Sequence, residues 1–337
     1  MNYYGQYNPN QMYYPPNFEV PYEEKRKIRH NYNVIGITLL SLEVLILVVC
    51  SVAYDLLDTF GMLSDETQDG MSVYGFWEVV AGGYFPALLA IAVFIGYCLF
   101  ARYNPKELFS VRCVKAGETA KYVVLVLFCQ QISMICTIFI SLFLNSLGLE
   151  VAGLNYVLEH KPSVYAADIF GAIVLAPIGE ELIYRGIVLR CSAKVSQRFA
   201  IFFSAFIFGI MHGNPYQFVL GFLIGIPLAI ITIKTGSIVP AIICHMVNNA
   251  VASIPQIVEY FNDDASYAVN WIMLPIFLVL GAVVLFSMVS KRQLTLPEYT
   301  IHHKKRTMPI LVTSWSMIVV FVIYAFNLLI SVQPIAQ

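Results

Sequence analysis

The stretch Ala176-Pro-Ile-Gly-Glu-Glu-Leu-Ile-Tyr-Arg185 sets two adjacent carboxylates and a guanidinium inside an apolar run that reaches from near residue 164 to 186. A run of that length is a membrane-crossing helix, because a hydrocarbon core about 30 Å thick takes about 20 residues of helix. Each carboxylate or guanidinium at mid-bilayer depth costs about 2.5 to 3.5 kcal/mol on insertion scales. A chain that keeps three of them there must pair them, wet them or use them chemically.

The composition outside this stretch gives the same reading. The chain has 337 residues, 58% hydrophobic and 12% charged, with a mean hydropathy of +0.71, against roughly 45 to 50% apolar and 25% charged in a soluble domain. This is a polytopic membrane protein. The net charge of −1 and pI near 6.6 carry little signal, since in such a protein the placement of charge matters more than its sum. No nucleic-acid partner is expected.

Nine apolar segments are expected to span, near residues 34–54, 80–101, 122–144, 164–186, 198–213, 216–233, 238–257, 269–290 and 309–330. The fold class is therefore all-α, a transmembrane bundle forming one membrane domain over 34–330. The first apolar run is long enough to span and is followed by no small-residue cleavage site, so it reads as a helix rather than a cleavable signal peptide. Before it, residues 1–32 are rich in Tyr, Asn and Pro and read as a disordered cytoplasmic tail. With the amino terminus inside the cell, 18 of the 20 Lys and Arg fall in inside segments, among them Lys25, Arg26, Lys27, Arg29, Arg112, Lys304, Lys305 and Arg306, while Lys161 is outside and Arg185 belongs to the motif. That asymmetry supports a multi-pass protein of the cell membrane with its amino terminus cytoplasmic. The seven cysteines, at 50, 98, 113, 129, 136, 191 and 244, contain no CxxC pair and are expected free.

Along a helix, residues four apart share a face and adjacent residues do not. Glu181 and Arg185 thus form an i,i+4 pair in the favoured order, which leaves Glu180 pointing elsewhere and free to move protons. His245 and Asn249 are also four apart, as are Phe208 and His212. A Glu, two His and an Asn from three helices supply a base, a second proton carrier and an amide donor for an oxyanion, enough to cleave an amide with water. The expected catalytic set is Glu180, Glu181, Arg185, His212, His245 and Asn249. Other polar or small residues read structurally: Glu43 as paired within the bundle, Asn248 as structural, Gly221 and Gly225 as a close helix contact, and Pro177 as a kink that opens backbone groups.

Three quoted motifs carry a resemblance. Glu180-Glu-Leu-Ile-Tyr-Arg185, Phe208-Gly-Ile-Met-His212 and His245-Met-Val-Asn-Asn249 resemble, in order and spacing, the EExxxR, FxxxH and HxxxN motifs of the CAAX-prenyl protease and bacteriocin-processing (CPBP, Abi-like) family of intramembrane proteases. The similarity covers about residues 164–257. It implies a helical bundle with a polar cavity, in which Glu180 with His212 activates a water while His245 and Asn249 stabilise the oxyanion. Eukaryotic relatives act on prenylated CAAX proteins and carry a further His soon after the second motif; this chain has Pro215 there, which resembles the bacterial branch. The expected partners are the lipid bilayer and a protein or peptide substrate.

A carboxylate and two imidazoles, here Glu180, His212 and His245, can also hold Zn2+ with one open position, so a divalent metal stands beside metal-free, glutamate-activated water as an alternative. No HExxH is present. A proton-coupled transporter and a non-catalytic scaffold or immunity protein are the competing functions, since membrane-embedded carboxylates and histidines also serve proton relays.

Overall fold

The computed structural model describes residues 22–335 other than 65, 69–70, 111–114, 153–155 and 296–308. Residues 1–21 of the expected tail, with Arg112, Cys113, Lys304, Lys305 and Arg306, lie outside the described residues. Helix α1 runs Tyr22–Thr59, α2 Phe76–Phe100 and α3 Ala116–Ser146. A broken helix follows, α4 Pro162–Phe170, α5 Ala176–Ile183 and α6 Arg190–Ala193, joined by π-helical turns at Gly171–Leu175 and Tyr184–Leu189. Then come α7 Gln197–Ile210, α8 Pro215–Thr235, α9 Val239–Ala252, α10 Ile254–Phe261, α11 Asp263–Ser290 and α12 Trp315–Ile330.

Each of the nine apolar segments is helical, and the protein is an all-α polytopic bundle. Among the described residues six helices are long and apolar enough to cross a membrane, and Gln197–Ile210 and Trp315–Ile330 are shorter apolar helices. The fourth segment is helical but interrupted by its two π-turns. The first helix starts at Tyr22, so residues 22–32, read from sequence as tail, continue the helix instead. Hydrophobicity locates the part of a helix that lies in lipid, and a polar extension beyond it leaves no apolar trace.

Local chemistry sets the helix ends near the centre of the chain. The Ser196 side chain accepts from the Phe199 amide at 3.4 Å to open α7, and Asn214 accepts from the Gln217 amide at 2.9 Å to open α8, with Pro215 at its first position. Between them Gly213 takes a left-handed backbone, φ 71°, which closes the turn just after His212.

Helices α7 and α8 meet backbone to backbone. A Cβ on Gly209 would lie 2.6 Å from the Phe218 carbonyl oxygen, one on Gly221 2.9 Å from Gly209 Cα, and one on Gly225 2.9 Å from Ala205. The Gly221 and Gly225 spacing is thus a close helix contact, as expected. The main core packs around it, with Ile183, Ile187, Phe203, Phe208, Ile224 and Leu228 all buried.

Short strands, which the sequence did not signal, tie the connections at one end of the bundle. β1 (Thr67–Gln68) pairs antiparallel with β2 (Met71–Tyr74), and β2 runs parallel to β4 (Tyr156–Leu158), while β3 (Leu149–Val151) pairs antiparallel with β5 (Val332–Pro334). These ladders hold the starts of α2 and α4 together, and likewise the ends of α3 and α12. Two to four residues are too few to show alternation in sequence.

Gly209→Ala is expected to lower stability by about 1 to 3 kcal/mol, because the new methyl meets backbone atoms that cannot rotate away. Gly96→Ala, whose Cβ would meet nothing within 4 Å, is the control. A lower thermal midpoint in detergent for the first and not the second checks the contact.

Candidate active site

The Glu pair lies on the broken helix, and the break follows from Pro177. In the first π-turn the Ala176 amide donates to the Gly171 carbonyl, five residues back. The Ala172 carbonyl would next be served by residue 177, which is proline and has no N–H. The Asn249 side-chain amide fills that position, donating from Nδ2 to Ala172 O at 2.8 Å. Asn248 Nδ2 in turn donates to Asn249 Oδ1 at 3.2 Å and orients the amide. Asn249 keeps a second N–H on the same nitrogen. The expectation that Pro177 opens backbone groups is met by a partner that links α9 to the broken helix.

Below that link sits the charged cluster. Glu181 and Arg185 are both fully buried, with Arg185 Nη1 2.9 Å from Glu181 Oε1. The contact is an ion pair and not a directed hydrogen bond, and Arg185 Nε and Glu181 Oε2 also have no hydrogen-bond partner among the described residues. Arg185 Nη2 donates to the Gly225 carbonyl at 3.4 Å, and its guanidinium lies 4.6 Å over the ring of Phe208. The absence of a side chain at Gly225, which permits the α7–α8 contact, also leaves its carbonyl within reach of Arg185.

Glu181 Oε1 has a second neighbour, His245 Nδ1, at 3.0 Å. A carboxylate only accepts, so Nδ1 carries the proton, and Nε2 is turned toward the other acid, 3.6 Å from Glu180 Oε2. Glu180 is the one member of the pair that keeps access, with its side chain 24% exposed against 0% for Glu181. One carboxylate is consumed in holding Arg185 and His245, and the adjacent one stays available.

His212 is positioned in the same manner. Its Nδ1 lies 2.8 Å from the Phe208 carbonyl, an acceptor, so Nδ1 is the donor and Nε2 is left free. Phe208 is the shared wall: its ring meets His212 edge-on at 5.2 Å and His245 edge-on at 5.6 Å, with Arg185 on its face. Glu180, Glu181, Arg185 and His245 are thus joined by direct polar contacts. Asn249 borders them through the broken helix, and His212 joins through Phe208.

Several contributors were not singled out from sequence. The carbonyls of Ala172 and Gly225 join the cluster through their backbone atoms and leave no residue-type signal, although Pro177 and the GxxxG spacing point to each. Tyr184, fully buried beside Arg185, donates its hydroxyl to Met211 and packs on Phe208. Glu43 hydrogen-bonds Tyr324, the structural pairing expected for it. The described cysteines are free.

Among the described residues no three His, Cys, Asp or Glu side chains are grouped so as to hold a metal ion. The trio Glu180, His212 and His245 is not such a group among the described residues.

The fold and site together define a multi-pass membrane protein with an internally neutralised acid–histidine cluster between helices. Residues 162–251, which include all three motifs, match the family model described as Type II CAAX prenyl endopeptidase Rce1-like. No curated protein and no solved structure matches the chain.

Arg185→Met strands Glu181 as a buried, uncompensated charge, at an expected cost of about 3 to 5 kcal/mol, whereas the double change Glu181→Leu with Arg185→Met is expected to recover much of that loss. The thermal midpoints of the single and double variants read the difference. Equal destabilisation by both would show that the pair does not neutralise itself.

Proposed function

We propose that this protein is an intramembrane endopeptidase that hydrolyses peptide bonds of membrane-associated proteins or peptides, with Glu180 as the general base. The observation that carries the reading is the unequal treatment of the adjacent acids: Glu181 is buried against Arg185 and His245, while Glu180 stays accessible with an imidazole nitrogen 3.6 Å away. A structural ion pair needs one acid. The second is spare, and it sits beside the His245 imidazole, whose helix also carries Asn249.

In this mechanism Glu180 takes a proton from water as the hydroxyl oxygen adds to the scissile carbonyl carbon. The oxyanion accepts from the second N–H of Asn249 and from His245 Nε2, to which Glu180 passes the water's proton and from which it takes that proton back, the imidazolium being held meanwhile between Glu180 and Glu181. Collapse breaks the C–N bond, and Glu180 returns the proton to the leaving amine. His212, with Nδ1 committed to Phe208, offers Nε2 as the second acceptor for the attacking water. Arg185 and Glu181 are positioning residues, since they act through His245. Substrates reach the site from the membrane, in a chain whose amino terminus lies in the cytoplasm and whose Pro215 favours the bacterial branch of the family.

Glu180→Gln, which keeps shape and removes the base, is expected to reduce cleavage about 10²- to 10⁴-fold with the thermal midpoint unchanged. The assay uses purified full-length protein and a panel of quenched fluorescent peptides, with and without an S-prenyl group. Cleavage equal to wild type would sink the assignment. Asn249→Ala is expected to cost about 10²- to 10³-fold in kcat and, by stranding Ala172 O, some stability as well. Dialysis against EDTA is expected to leave the rate unchanged; a rate lost and then restored by Zn2+ would reassign water activation to a metal.

A further inference from the structure

A cavity of about 310 Å³ opens between α3, the start of α8, the end of α9 and α11, and none of its lining residues is charged. Its polar side is built from Gln130, Gln131, Ser133, Thr137, Gln217 and Asn270. Gln131 is the middle residue of α3 and only 3% exposed, and Gln130 Oε1 is buried with no hydrogen-bond partner among the described residues. Amides at the centre of a spanning helix are costly unless they find partners. Gln130 Oε1 thus leaves hydrogen-bonding capacity unused beside the cavity.

Two elements connect the cavity's lining to the helices of the site. Ala252 lies on its wall, three residues beyond Asn249 and on the same face of α9. Gln217 also lines it and accepts from Asn214 Nδ2 at 2.8 Å, and that same nitrogen reaches the His212 carbonyl at 3.5 Å. The wall therefore continues to both the His212 and the Asn249 sides of the site.

The chemistry of the lining selects its occupant. An isoprenoid chain needs an apolar tube, which seven amide and hydroxyl side chains, Tyr216 included, interrupt. An anionic headgroup needs Lys or Arg, and there is none. Carboxamides present a donor and an acceptor side by side, the complement of a peptide unit. We propose that this cavity binds an uncharged, extended segment of the substrate polypeptide next to the bond that is cut, its side-chain amides hydrogen-bonding the peptide backbone within the membrane. The inference rests on the endopeptidase reading for what is cut, and on the cavity alone for what is bound.

The test uses the full chain in proteoliposomes and a pool of uncharged dodecapeptides, each with one benzoylphenylalanine and a quenched fluorophore pair. Irradiation is expected to label residues 130–138 or 270–273, with the label competed away by excess unmodified peptide. The double change Gln131→Leu with Asn270→Leu is expected to reduce labelling and raise KM at least about tenfold, the loss of two hydrogen bonds, with kcat within about twofold. Gln131→Asn, which keeps an amide, is expected to retain most of the labelling, separating lost hydrogen bonding from lost fold. Labelling confined to other segments, or unchanged in a folded double variant, overturns the proposal. A fall in kcat at constant KM also overturns it and makes the cavity a water store. Labelling of the cavity without any cleavage would leave the binding site standing and remove the hydrolase.

Discussion

Charge neutralisation in a solvent that cannot solvate charge is the constraint on which the rest of this structure depends. Arg185 and Glu181 are fully buried, so each serves as the other's counter-ion, and the groups near them are arranged around that pair. The Gly225 carbonyl takes a second guanidinium nitrogen, Phe208 covers the guanidinium face, and His245 shares the carboxylate oxygen. A low dielectric strengthens each of these contacts and makes each omission costly. The same pairing frees Glu180 from structural duty.

A second constraint comes from the backbone. In lipid every N–H and C=O needs an internal partner, so a broken helix survives only where protein repairs the break. Pro177 removes one donor and the π-turn shifts the register of the next, and Asn249 makes the repair from a different helix. An element that was free to be a regular span is thereby locked to α9, which also carries His245. The irregularity and the juxtaposition of polar groups have one cause.

Helices outside the matched segment complete the site. Ala87 and Ala90 of α2 pack so closely on Gly179 that a Cβ there would lie 2.9 Å from the Ala87 carbonyl, and Phe94 stands against Gly186 in the same way. These contacts pack α2 closely against both ends of the Glu-bearing stretch. Helix α3 adds the uncharged polar cavity, whose amides lie at mid-span where no motif calls attention to them. The CAAX-protease-like domain of residues 162–251 is thus framed by helices that the family match does not cover.

The sequence by itself determined the class of the fold and the identity of the polar set. Twenty-residue apolar runs are decided by bilayer thickness, and the Glu181–Arg185 and His245–Asn249 spacings by the pitch of one helix, all properties of contiguous chain. What only the tertiary structure decided is the division of labour: that His245 is shared between the two acids, that Asn249 repairs the backbone at Ala172, and that His212 reaches the cluster by way of Phe208. Those facts depend on how far each helix slides and turns against its neighbours. That is set by glycine contacts and π-turns summed over the whole bundle, and no local spacing encodes it.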